Sequence, residues 1–87
     1  MVIRMEVKYL IIIDKTSTGY SAYSPDVEGC VAVGSTKKEC EKNMREALQY
    51  HIEFMIEKGY EVPKPKSSAA EFINLQFKKV SQTAAVL

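Results

Sequence analysis

Six side chains between residues 40 and 55 constrain this chain more than anything else in it. Cys40, Met44, Ala47, Leu48, His51 and Met55 stand at offsets 0, 4, 7, 8, 11 and 15, which is one continuous face at 3.6 residues per turn. Lys38, Glu41, Lys42, Arg45, Glu46, Gln49 and Glu53 populate the other side. Thr36 with Glu39 three residues later is a capping box, whose hydroxyl and carboxylate each satisfy one orphan backbone N–H. Lys58-Gly59 is a terminator, a cation followed by the residue that tolerates left-handed φ. The pattern predicts one long helix whose apolar stripe must be covered. Ile52, Phe54 and Ile56 widen that stripe near its end, so the last turns are expected to be covered from two directions, by a sheet and by a loop or another subunit.

The cover comes from the segments on either side. Residues 5–13 begin with Met5, Val7 and Tyr9 alternating against Glu6 and Lys8, then run solidly through Leu10-Ile11-Ile12-Ile13. Period two giving way to β-branched residues predicts a strand buried on one face, then on both. Asp14-Lys15-Thr16-Ser17-Thr18-Gly19 is turn chemistry, and Tyr20-Ser21-Ala22-Tyr23 resumes as a second strand in an antiparallel hairpin. Pro25 ends it, with Asp26, Glu28 and Gly29 supplying a loop before a third strand over residues 30–34. Beyond the helix, Pro63 and Pro65 impose an extended connector. Residues 71–80 then alternate, with Ile73, Leu75 and Phe77 on one parity and Asn74, Gln76 and Lys78 on the other, and predict a fourth strand. The expected fold is α+β, β-β-β-α-β, a two-layer domain over residues 1–80 with residues 81–87 as a tail.

Composition limits the function. Eighty-seven residues, 46% of them apolar, make one small domain with a thin core. Burial against a second copy is therefore expected, as a homodimer or homotetramer. No apolar run approaches the roughly 20 residues of a membrane span, and the first residues do not read as a signal peptide, so a cytoplasmic protein is expected. The net charge is +1, and Arg4 and Arg45 are the only arginines. Without a basic, arginine-rich stripe, direct nucleic-acid binding is not expected.

Candidate chemistry is sparse. Cys30, Cys40 and His51 match no metal-ligand spacing and lack a fourth ligand, so neither metal nor cofactor is expected. Two-metal hydrolysis needs several carboxylates around ions about 4 Å apart, whereas Asp14 and Asp26 stand singly in a loop and a turn. His51 could serve as a general base, but no nucleophile stands at a fixed spacing from it. The five tyrosines read as strand residues and interface anchors.

Taken in order, these pieces are familiar. Tyr20-Ser21-Ala22-Tyr23-Ser24-Pro25-Asp26-Val27-Glu28-Gly29-Cys30, then Gly34-Ser35-Thr36-Lys37-Lys38-Glu39-Cys40, residues 43–48, His51 and residues 59–65 resemble the HicB-like antitoxin family. The resemblance implies a partial ribonuclease-H-like fold and a non-enzymatic role: direct binding of a small basic HicA-like messenger-RNA interferase. Many members also carry a C-terminal DNA-binding segment. Seven residues follow Val80 here, so direct operator binding is not expected. A toxin that handles RNA presents cationic surface, and acidic groups on a rigid turn suit it. Tyr23, Pro25, Asp26, Val27 and Glu28 are therefore the expected partner contacts. The alternatives are a stand-alone structural or ligand-binding domain of the same fold and, behind it, a residual nuclease.

Overall fold

The structure is a computed structural model that describes residues 6–78. It has four elements: β1 (Ile12–Lys15), β2 (Tyr20–Ser24), β3 (Val27–Gly34) and α1 (Lys37–Glu57). The strands form one antiparallel sheet in the order β1-β2-β3. The helix crosses one face of it, mainly over β3 and β2. The α+β, two-layer architecture and the meander are as expected.

Both ends of α1 are closed by side chains and turns named in the sequence. Thr36 Oγ1 accepts the Glu39 N–H at 3.1 Å. The Glu39 carboxylate reaches back one residue further than a capping box requires, to the Ser35 N–H at 2.8 Å and the Ser35 hydroxyl at 3.2 Å. At the other end the Gly59 N–H bonds the Ile56 carbonyl at 3.1 Å and the Tyr60 N–H bonds the Met55 carbonyl at 2.8 Å. That pair of bonds is a Schellman motif, and it requires the φ of 76° that Gly59 adopts.

Cys40 and Met44 are the fully buried helix residues, packed with Ala22, Val27 and Cys30 of the sheet. Tyr9, Ile11, Ile13, Leu48 and Ile52 pack around this nucleus. Gly34 lets the layers close. A Cβ there would lie 2.5 Å from the Cys40 backbone nitrogen and 2.8 Å from its Cα, so only a bare backbone fits. Phe54 and Ile56 remain exposed. Among the described residues the Tyr60 ring, edge-on to Phe54 at 6.3 Å, is the partial cover on that side.

Three element boundaries differ from the sequence reading. The first strand starts at Ile12; residues 6–11 reach the core through Tyr9 and Ile11 without joining a ladder, and Met5 lies outside the described residues. The third strand starts at Val27, because Pro25-Asp26 is a tight two-residue connection with Ser24 paired to Val27. The extra residues are absorbed by a register shift between Tyr23 and Ser24, opposite Gly29 with φ 76°. The fourth strand is the main correction. Residues 71–78 form no strand and are exposed throughout. A strand exists by virtue of a ladder partner, and this segment meets neither β1 nor β3, the two edges of the sheet. Lys79, Val80 and the tail from Ser81 to Leu87 lie outside the described residues.

Candidate functional site

The β2–β3 turn, the end of α1 and the connector after it converge at one end of the sheet. Residues 61–67 cross this end as a strap, tied down twice. The Tyr9 hydroxyl donates to the Pro63 carbonyl at 2.6 Å. The Asp26 carboxylate accepts the backbone N–H groups of Lys66 at 3.0 Å and Ser67 at 2.8 Å, with the Ser67 hydroxyl at 3.3 Å. Pro63 and Pro65 hold the strap extended, so its later N–H groups face Asp26 without further ordering.

These contacts set the electrostatics. The Ser67 N–H, against an opposing effect of burial, holds the Asp26 carboxyl below its usual range, with help from the Lys66 N–H, the Ser67 hydroxyl and the Lys66 ammonium. Burial, and then the Asp26 charge, push the Tyr9 phenol up. That keeps it protonated as the donor to Pro63. Between turn, helix and strap lies an open cleft of about 720 Å³. Asp26, Glu28 and Glu61 line it together with Lys64 and Lys66, so its charge is mixed.

The five expected contact residues divide sharply. Tyr23 (41% exposed), Pro25 and Glu28 face solvent. Val27, 1% exposed, belongs to the core, so its side chain anchors the turn and is not offered to a partner. Asp26 is half-buried and committed to the strap. The sequence reading missed this strap contact. A lone aspartate beside a proline in a turn is a common acceptor for backbone N–H groups, but its partners lie 40 and 41 residues away, beyond any local pattern.

The remaining candidates are dispersed. Asp14 pairs across from Ser21 on β1, while Asp26 sits past the far end of β2, about three residues of strand or roughly 10 Å further along. His51 is half-buried and lines the cleft beside Met55. Cys30 and Cys40 are both buried free thiols, and burial pushes the Cys30 thiol up, away from the reactive thiolate. Among the described residues no group of three or more His, Cys, Asp or Glu could hold a metal ion, and no helix is long and apolar enough to cross a membrane.

Known proteins resemble this chain in sequence and in fold. The chain is 41% identical over 66 residues to an uncharacterized 14.9 kDa protein from the rep-hol intergenic region of Haemophilus phage HP1, covering 76% of this chain and 49% of that protein. It thus spans about half the length of that relative. It is 36% identical over 58 residues to a UPF0150 protein of Thermoplasma acidophilum, covering 66% of this chain and 84% of that one. Among solved structures it is similar to a chain of a HicA3 and HicB3 toxin–antitoxin complex, with TM-score 0.61 and 38% identity over 69% of this chain and 70% of that one. It is also similar to the crystal structure of antitoxin HicB3, with TM-score 0.56 and 27% identity over 82% and 74%. The sequence profile of the HicB-like antitoxin of bacterial toxin–antitoxin systems matches residues 9–86, from the tyrosine that ties the strap to beyond the exposed apolar row, and to that family the chain belongs.

Proposed function

We propose that this protein is a non-enzymatic antitoxin that neutralises a small, basic HicA-like mRNA interferase by binding it and occluding its active surface. The observation that carries the reading is the likeness to a chain of the HicA3 and HicB3 toxin–antitoxin complex, at 38% identity and TM-score 0.61. The turn end of the sheet supplies the contact surface. Tyr23 offers ring area and a hydroxyl, Pro25 a rigid tip, and Glu28 a free carboxylate for a cationic partner. Val27 and Asp26 contribute by fixing the turn to the core and to the strap. The protein acts as a homodimer or homotetramer, with no direct role for nucleic acid.

Co-expression with a candidate HicA-like toxin tests this. The wild-type chain should relieve growth arrest and co-purify with the toxin. Glu28→Lys with Tyr23→Ala should weaken the complex at least tenfold, the scale of losing a central aromatic anchor and a facing charge. Failure of the wild-type chain to bind or rescue would leave the stand-alone-domain alternative. Rescue that survives the double substitution would move the interface elsewhere on the molecule.

A further inference from the structure

Residues 71–78 and the outer face of the sheet are two unengaged apolar surfaces of one chain that match each other. Ile73, Leu75 and Phe77 are 75%, 68% and 67% exposed, on one parity of an extended segment. On the sheet face turned away from α1, Val31 and Val33 of β3 are 69% and 68% exposed. Both rows repeat every second residue, so in extended backbone both present a side chain about every 7 Å. Tyr23 pairs with Val31 and Ile12 pairs with Tyr23, which carries the apolar strip across the sheet.

The dimensions point to a missing neighbour. The Cα radius of gyration is 17.9 Å, with extents of 68 × 28 × 18 Å. A chain of this length that closed on itself would have a radius of about 12 Å. After the Asp26–Ser67 contact, residues 71–78 are exposed throughout and join no ladder among the described residues. An arm of alternating apolar residues held out in water loses the hydrophobic gain its composition offers.

We propose that residues 71–78 of one copy lie along the outer face of β3 in a second copy, reciprocally, forming a closed two-fold dimer. The exchange is isologous, since each copy supplies one arm and one receiving strip. A stable interface buries roughly 1,600 Å² in all, which two arms and two strips must supply together. The contact is made face to face and does not extend the ladder along all of β3, because Asn43 Nδ2 already occupies the Val33 carbonyl at 2.8 Å. The strip continues through Tyr23, which the proposed toxin surface also uses, so the two interfaces adjoin there. This inference deepens the homo-oligomer part of the proposed function, is tested without the toxin, and leaves Pro25 and Glu28 of the turn free to bind it.

The test uses the full chain alone. Light scattering behind size exclusion at tens of micromolar should give a dimer, and Ile73→Asp with Leu75→Asp should weaken it at least tenfold. Both sites are exposed, so circular dichroism and the melt of the dilute protein should be unchanged. Differently tagged Val31→Cys and Leu75→Cys chains, mixed and oxidised, should form the mixed interchain disulfide. A monomeric wild type would overturn both the arm exchange and the homo-oligomer. A dimer indifferent to the arm substitutions, or one lacking the mixed disulfide, would overturn the exchange and leave the oligomer standing.

Discussion

Strand β2 and the arm at residues 71–78 carry comparable sequence signals and reach opposite outcomes. Tyr20-Ser21-Ala22-Tyr23 is short and carries no aliphatic side chain larger than alanine, yet it is the central strand, paired on both sides and burying Ala22. The arm alternates with larger side chains and forms no strand. The difference lies in their neighbours. Two short turns bring β1 and β3 to β2 at little entropic cost, while the arm leaves from a strap anchored at the turn end and pairs with neither edge of the sheet. Alternation states which face wants burial. Topology decides whether the burial happens within one chain.

The sharpest way to break this contrast is to truncate one apolar residue in each region. Met44 is fully buried between α1 and the sheet, so Met44→Ala should cost about 3 kcal/mol, the usual cost of a buried large-to-small change. Leu75→Ala in dilute protein should stay within about 0.5 kcal/mol of wild type. Thermal or urea melts at several protein concentrations check both. If arm exchange holds, the Leu75→Ala cost grows with concentration while that of Met44→Ala does not. A concentration-independent Leu75→Ala cost near 3 kcal/mol would mean that the arm packs on its own chain. Gly34→Ala probes the same body from the backbone side. With Cys40 backbone 2.5 Å from the new methyl, layers must separate, and a loss of about 2–3 kcal/mol is expected.

A smaller effect should follow from the latch between the two regions. The folded pKa of Asp26 is lowered, so its contribution is fully present above the unfolded value of about 3.9. It is lost as pH falls below that and through the folded pKa, because the unfolded chain binds the proton first. The effect is local: acid should release the strap while α1 and the sheet persist. Amide exchange at Lys66 and Ser67 should accelerate as pH drops through this window, once corrected for the intrinsic pH dependence of exchange. Asp26→Ala should show the fast behaviour already at neutral pH. Protection that survives both treatments would mean that the Tyr9–Pro63 bond holds the strap alone.

How much of this was legible in the sequence depends on how local each feature is. The helix and its caps follow from contacts within five residues, and they appear as read from Thr36 to Gly59 apart from the displaced Glu39 bond. The meander follows from short turns, with its boundaries off because Pro25-Asp26 turns more tightly than its polar neighbours imply. The candidate site was legible only in part. Tyr23, Pro25 and Glu28 face solvent, but Val27 is core and Asp26 is committed across 40 residues to the strap. Period-two alternation cannot tell the core face of a residue such as Val27 from its solvent face until the register across the bulge is known. The fourth strand was read from a pattern that alternates correctly but pairs with no strand among the described residues.

The smallest expected effect tests whether the body is as complete as the contrast with the arm implies. Ser24 is 4% exposed at the end of β2, and its hydroxyl has no hydrogen-bond partner among the described residues. A buried hydroxyl without a partner loses its hydration and regains nothing. The Ser24 backbone pairs with Val27 in the tight turn, and alanine can keep that pairing. Ser24→Ala should therefore leave the fold intact and raise stability by up to about 1 kcal/mol, read from the urea midpoint at unchanged slope. A loss of similar size would mean that the hydroxyl is satisfied in solution, by water or by a second copy at the turn end. In the second case the loss would scale with protein concentration, and the turn surface proposed for the toxin would belong to the dimer as well.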